Sequence, residues 1–182
     1  LCAGVNGSAG ILPTVKELSI PAELANFSFG QGILTATPLQ VCQMTCAIAN
    51  NGNMPVLRVI RGLTDDGINV KNEKEPQLAY TMEEKEAKAL RRLMASAINN
   101  NDSSNAKPYN VMAAGKTSTA QTGRFDENGI EYCNAWITGY FPVNEPKYAI
   151  TVLVEDGGYG NDSAAPVFRE IIEKIQKNIK SN

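Results

Sequence analysis

The last third of the chain constrains the fold most, because three extended segments follow one another and lead into a single amphipathic helix. Val111 to Gln121 reads as a strand, Cys133 to Phe141 as a second after a Gly-containing connection, and Tyr148 to Glu155 as a third. The third carries β-branched residues and apolar side chains on both faces, the pattern of a buried strand. Asp156 to Asp162 is a turn-rich loop, after which Ser163 is expected to cap a helix. Ala164, Phe168, Ile171, Ile172, Ile175 and Ile179 give that helix one apolar face for the sheet.

Upstream, residues 1–36 are rich in Gly, Ser, Asn and Pro and read mainly as loop, ending in Phe29-Gly30-Gln31-Gly32. Thr37 then offers an N-cap, Pro38 suits the first helical position, and Gln40 can close a capping box. This helix is expected to run to Asn50 and to end at Asn51-Gly52. Apolar side chains surround most of it, from Leu39 to Ala49, so it belongs inside a domain. Val56 to Val70 suggests a peripheral hairpin around Asp65-Asp66-Gly67. Thr81 is expected to cap a further helix with Glu83 and Glu84 in its first turn. Its stripe is Ala87, Leu90, Met94, Ala97 and Ile98, and Asn99 to Asp102 stops it.

Composition excludes several functions. At 182 residues, 43% apolar and 20% charged, the chain can form one domain with a sizeable core. A net charge of −2 with interspersed signs supplies no field for nucleic acid. The absence of histidine excludes a Ser-His-Asp triad, a Cys-His pair and any His-containing zinc site, so proton transfer in acyl chemistry would fall to a Lys. Cys2, Cys42, Cys46 and Cys133 lack CxxC spacing; Cys42 and Cys46 read as small buried thiols of one helix. Glu155, Asp156 and Asp162 miss the spacing of a calcium loop, and Gly30 and Gly32 precede no phosphate-binding Gly-Lys pattern. No metal or cofactor site is expected. No run of about 18 apolar residues occurs and Leu1 to Asn6 is not a signal sequence, so the chain as given is expected to be soluble.

The segment with the clearest chemistry is Gly115-Lys116-Thr117-Ser118-Thr119-Ala120-Gln121. Lys116 supplies a compact positive charge, and the hydroxyls of Thr117, Ser118 and Thr119 suit a carboxylate. The small side chains of Ala113-Ala114-Gly115 would let a peptide-like ligand approach an extended backbone.

Four segments in order resemble class B penicillin-binding proteins. They are Phe29-Gly30-Gln31-Gly32 through Thr37-Pro38-Leu39-Gln40 and Ile48 to Gly52; Gly115 to Gln121; Trp136 to Pro142; and Ala164 to Phe168. The resemblance covers roughly residues 29–172. It implies an α/β (α+β type) fold like that of the penicillin-binding transpeptidases and serine β-lactamases, with a five-stranded antiparallel sheet between helices, incomplete here. Residues 1–182 would be the C-terminal part of one such domain, from a parent anchored in the bacterial cytoplasmic membrane with this domain outside.

The family acylates a Ser of an SxxK motif, with SxN and KTG motifs beside it. Lys116-Thr117-Ser118 occupies the third position. The resemblance implies that Lys116 and Thr119 are catalytic, and that Thr117, Ser118, Thr119 and Gln121 bind substrate. The Thr119 N–H would be half of the oxyanion hole. Implied partners are peptidoglycan stem peptides, β-lactams, the N-terminal part of the same domain and other cell-wall synthesis proteins.

Two departures stand out. Ser118 replaces the usual Gly and adds a side chain near the expected ligand. No SxxK or SxN motif precedes Gly30-Gln31-Gly32, so the piece alone is expected to be inactive. Ser104-Asn105-Ala106-Lys107 matches SxxK and Ser103-Ser104-Asn105 matches SxN, but Pro108 disfavours the helix that the first requires. A noncatalytic module of the same fold, a D,D-carboxypeptidase and a β-lactam sensor are the alternatives. Trp136 and Tyr140 read as core or cleft-wall side chains.

Overall fold

The computed structural model describes residues 7–60, 62–71 and 77–180. Elements are short until the buried helix. α1 (Val15–Leu18) and α2 (Pro21–Ser28) occupy the segment expected to be mainly loop. Two local signals produce them despite the Gly- and Pro-rich composition. Thr14 and Glu17 form a capping box, with the Thr14 N–H donating to Glu17 Oε2 at 2.7 Å, and Pro21 opens α2 at its first turn.

α3 (Pro38–Ala49) follows the expected grammar. Thr37 N–H donates to Gln40 Oε1 at 2.9 Å, and the Gln40 N–H returns to Thr37 Oγ1 at 3.2 Å. The helix ends where Asn51 and Gly52 take positive φ values of 54° and 91°. At Gly52 a Cβ would lie 2.1 Å from the Met82 carbonyl oxygen, so packing as well as conformation requires glycine there.

β1 (Asn53–Pro55) pairs antiparallel with β2 (Leu78–Tyr80), a small sheet that the local pattern did not announce. Between them, the expected hairpin shows, among the described residues, one antiparallel bridge of Leu63 with Lys71 around the Asp66 turn. Val59, Ile60, Leu63 and Ile68 are exposed, so these side chains give longer strands no buried face to hold their register, and this part of the chain is peripheral as expected. α4 (Glu84–Asn99) is capped by Glu83 rather than Thr81. The Thr81 hydroxyl is committed elsewhere, donating to the Gly52 carbonyl at 2.9 Å, while the Glu83 N–H donates to Glu86 at 3.3 Å. Ala87, Met94 and Ile98 are the buried positions of its stripe; Leu90 stays exposed.

β3 (Ala114–Phe125), β4 (Glu131–Phe141) and β5 (Tyr148–Val154) form a three-stranded antiparallel sheet in the order β3-β4-β5. The five strands implied by the resemblance are therefore represented by three among the described residues. α5 (Ala164–Lys180) covers one face. Its Ala164, Ala165, Phe168 and Ile172 pack with Ala135, Ile137 and Phe141 of β4, and each of these seven is at most 1% exposed. Burying one such large apolar side chain is worth about 1.5–3 kcal/mol. Gly139 lets this face close: a Cβ there would sit 2.3 Å from the Ala114 oxygen and 2.7 Å from Phe168 Cζ. Ser163 precedes α5, but its hydroxyl donates to the Gly157 carbonyl.

Tyr140 turns to the opposite face, where it meets Ile48 of α3 and Met94 of α4. Its hydroxyl is buried without a hydrogen-bond partner, and burial raises its pKa against the pull of nearby Arg91. This is the core role expected for Tyr140. Cys42 and Cys46 are both half-buried on α3. The hydrogen bond between the two thiols, then burial, keeps Cys46 protonated far above the ordinary thiol range. Leu39 and Met44 on the same helix are 45% and 48% exposed, so the described residues leave one side of α3 uncovered. Cys2 lies outside the described residues.

Candidate functional site

The residues singled out by their chemistry lie on β3, which among the described residues is an edge strand paired with β4. An edge strand turns the backbone groups of alternate residues away from its partner. Two observations identify which ones. The Thr119 carbonyl accepts from Gln31 Nε2 at 3.1 Å, and the Thr117 carbonyl accepts from Lys116 Nζ. These carbonyls are two residues apart and neither serves the β3–β4 ladder, so Thr117 and Thr119 present their backbone groups on the free edge. Ser118, between them, pairs with Trp136 of β4.

Strand alternation also sorts the side chains. Lys116, Ser118 and Ala120 share a face with their cross-strand partners Thr138, Trp136 and Asn134. Together they line a cleft of about 650 Å³ that Leu34, Val41 and Met44 close from the side of α3. Trp136 is thus a cleft-wall residue, as expected. The Ser118 side chain enters this cleft from a strand whose free backbone edge remains open, so the extra group does not cover the edge itself.

A second cleft, of about 420 Å³, brings Lys116, Thr117, Ser118 and Thr119 together with Phe29, Gln31, Tyr159, Gly160 and Asn161. The Thr119 hydroxyl accepts from the Gly160 N–H at 3.3 Å and keeps its own proton to donate. Lys116 is exposed, and among the described residues no carboxylate pairs with it. Gln121 stands apart from this group, since its amide donates to Glu131 Oε2 across the hairpin at 2.7 Å.

Some expectations change. Ala113, Ala114 and Gly115 are buried, so their small size serves packing rather than ligand access. At Gly115 a Cβ would lie 2.8 Å from the Thr138 oxygen and 2.9 Å from Ile98 Cδ1 of α4. Ser104 and Lys107 lie in a turn-containing loop, not on a helix, and Lys107 Nζ donates to the Asn99 carbonyl at 2.9 Å. That loop is tied to the site: Asn105 N–H donates to Asn161 Oδ1 at 3.1 Å, and Asn161 Nδ2 donates to the Ser103 carbonyl at 3.1 Å. Gln31, Tyr159, Gly160 and Asn161 had no assigned site role from sequence. Only the Gly-Gln-Gly and Gly-Gly-Tyr-Gly runs hinted that the backbone must bend closely there.

Residues 6–173 match the penicillin binding protein transpeptidase domain. Peptidoglycan D,D-transpeptidase MrdA of Haemophilus influenzae is 28% identical over 173 residues, which cover 87% of this chain and 26% of MrdA. The ceftriaxone acyl-enzyme complex of penicillin-binding protein A from M. tuberculosis superposes with a TM-score of 0.75 at 28% identity, covering 86% of this chain and 36% of that one. The penicillin-binding protein PBP2 of Helicobacter pylori, solved in complex with MreC, gives 0.75 at 29% identity, over 94% of this chain and 32% of that one. The chain therefore spans about a quarter to a third of the length of these relatives. With the matched segment running through nearly all the described elements, the chain belongs to the penicillin-binding protein transpeptidase domain family.

Proposed function

We propose that residues 1–182 are the C-terminal part of a single transpeptidase domain, and that the intact protein is a serine-type peptidoglycan D,D-transpeptidase that β-lactams also acylate. The observation that carries this reading is the free edge of β3, where Lys116 to Thr119 open onto a cleft and no carboxylate among the described residues pairs with the Lys. An anionic peptide can lie along such an edge as an added strand.

In this reading Lys116 and the hydroxyls of Thr117 and Thr119 receive the terminal carboxylate of a D-Ala-D-Ala stem peptide or of a β-lactam. Ser118 and Gln121 contribute polar groups to the flanks of the same strand. The Thr119 N–H donates to the carbonyl oxygen that becomes the oxyanion, and the nucleophile's own N–H supplies the second donor. The nucleophilic Ser belongs to the part of the domain outside this chain. Its Oγ bonds to the carbonyl carbon, the peptide C–N bond breaks, and D-Ala departs with the proton. An amine of a neighbouring stem peptide then attacks the ester carbon, and the Ser oxygen leaves with the amine's proton. By itself the chain supplies docking and half of the oxyanion hole and is inactive.

No helix among the described residues is long and apolar enough to cross a membrane. A membrane anchor, with this domain on the outer side, would lie elsewhere in the parent. The MreC complex of the H. pylori relative supports association of the parent with other cell-wall synthesis proteins.

The test is Lys116→Met in a protein that carries both this chain and the nucleophile. Penicillin acylation is expected to slow by about 10²-fold, the scale of losing one preorganised charge-stabilising group. Acylation at the parental rate would reject the assignment.

A further inference from the structure

We infer that Gln31 is a displaceable latch: without ligand its carboxamide occupies the place on the β3 edge that the N–H of a docked peptide must take. This rests on the reading of β3 as a peptide-docking edge. The Gln31 Nε2 donor reaches the Thr119 carbonyl at 3.1 Å from 88 residues away, in a partly buried setting. Peptide N–H and side-chain amide N–H are the same kind of donor, so the latch copies what an added strand would offer.

The backbone around Gln31 is built to hold the side chain there. Gly30 and Gly32 both have φ of +79°, so Gln31 sits between two left-handed residues. Its own N–H is fixed to the Asn26 carbonyl at 2.9 Å. At Gly32 a Cβ would come within 3.2 Å of Asn26 Cβ, which fastens this turn against α2. With the main chain held, release of Thr119 needs only side-chain rotation, a fast motion.

The consequence differs between ligand classes. A ligand with an amide N–H beside its reacting carbonyl replaces the Gln31 bond one for one. A ligand of the same shape and charge without that N–H leaves a partly buried carbonyl unpaired if it displaces Gln31, and that is costly. An acylamino ligand thus gives up the strength of one net hydrogen bond to displace Gln31, whereas an ester analogue, which cannot pair with the Thr119 carbonyl, docks through its carboxylate with Gln31 in place. Replacing it with Met keeps the bulk and removes the donor. Gln31→Met should tighten binding of the amide ligand about two- to tenfold, the range for one net hydrogen bond.

The test is a ¹H–¹⁵N NMR titration of the 182-residue chain and its Gln31→Met variant with N-acetyl-D-Ala-D-Ala, and with the analogue in which ester oxygen replaces the acetylated N–H. The dipeptide is expected to shift the Thr119 backbone amide and the Gln31 side-chain NH₂ together. The ester should shift Lys116 to Thr119 and leave the Gln31 NH₂ in place, and the variant should bind the dipeptide more tightly. Shifts from Gly115 to Gln121 with a static Gln31 NH₂, or weaker binding by Gln31→Met, overturn the latch and leave the docking edge standing. No shift along β3 with either ligand overturns both.

Discussion

The hydroxyls of Thr45 and Thr138 lie 2.6 Å apart in the interior and join α3 to the middle strand of the sheet. Thr45 Oγ1 donates to the Val41 carbonyl at 3.0 Å, and Thr138 Oγ1 lies 2.7 Å from Thr151 Oγ1 of β5. One proton order satisfies all three: Thr151 donates to Thr138, Thr138 to Thr45, and Thr45 to Val41. The face of the sheet that carries Lys116 is thereby positioned against α3.

Thr138→Val removes the middle of that chain while keeping its shape. The Thr151 hydroxyl is left without its acceptor and Thr45 without its donor. Stability is expected to fall by about 1 kcal/mol, the net worth of a hydrogen bond, because Thr45 keeps its bond to Val41 and the Thr138–Thr151 pair is only partly buried. Urea unfolding checks this through a lower midpoint at unchanged slope.

Gly160 holds the loop after β5 against the binding strand. A Cβ there would stand 2.4 Å from the Ser118 oxygen and 2.5 Å from the Trp136 oxygen. Gly160→Ala therefore pushes the loop off β3 and breaks the bond from its N–H to Thr119 Oγ1. A loss of about 1–3 kcal/mol is expected, as for other overpacking substitutions. Hydrogen exchange at Gly160 and Asn161 should accelerate more than at the centre of β4; uniform acceleration would contradict the local account.

The Asp66 carboxylate accepts from the backbone N–H groups of Asn69 and Ile68 at 2.8 and 2.9 Å, and from the side chains of Asn69 and Thr64. These bonds, the Asn69 backbone N–H foremost, hold its pKa well below the usual carboxylate range. A depressed folded value means that the contribution is complete above the unfolded pKa of about 3.9 and is lost only as pH falls through the lower folded value. The turn from Thr64 to Asn69 should therefore keep its amide shifts down to about pH 4, by the same reference value. The Asp66 carboxyl ¹³C midpoint should fall below that value; a midpoint at it would contradict the hydrogen bonds described.

Where one residue's immediate neighbours decide the structure, the sequence was readable. Thr37, Pro38 and Gln40 announced α3, and Asn51-Gly52 announced its end. The three strands and α5 followed from the apolar pattern between Val111 and Ile179. The Thr14–Glu17 box was equally local but was outweighed by the Gly and Pro around it. Contacts between distant segments left little trace. β1 and β2 are three residues each and pair across an intervening segment, while Thr81 lost its capping role to a carbonyl 29 residues away. At the site, Lys116 to Thr119 were found by type and spacing. Gln31 was not, because its partner on β3 is set by tertiary packing rather than by periodicity.

The most direct test of the central claim is covalent labelling with a fluorescent penicillin, read by intact mass and peptide mapping, on residues 1–182 and on the same chain extended upstream in its reading frame. The account predicts no adduct on residues 1–182 and one stoichiometric adduct on the extended protein, at a Ser outside this chain. Stoichiometric labelling of residues 1–182 alone, with Ser104 the first position to map, would contradict it, and so would the absence of labelling on either protein.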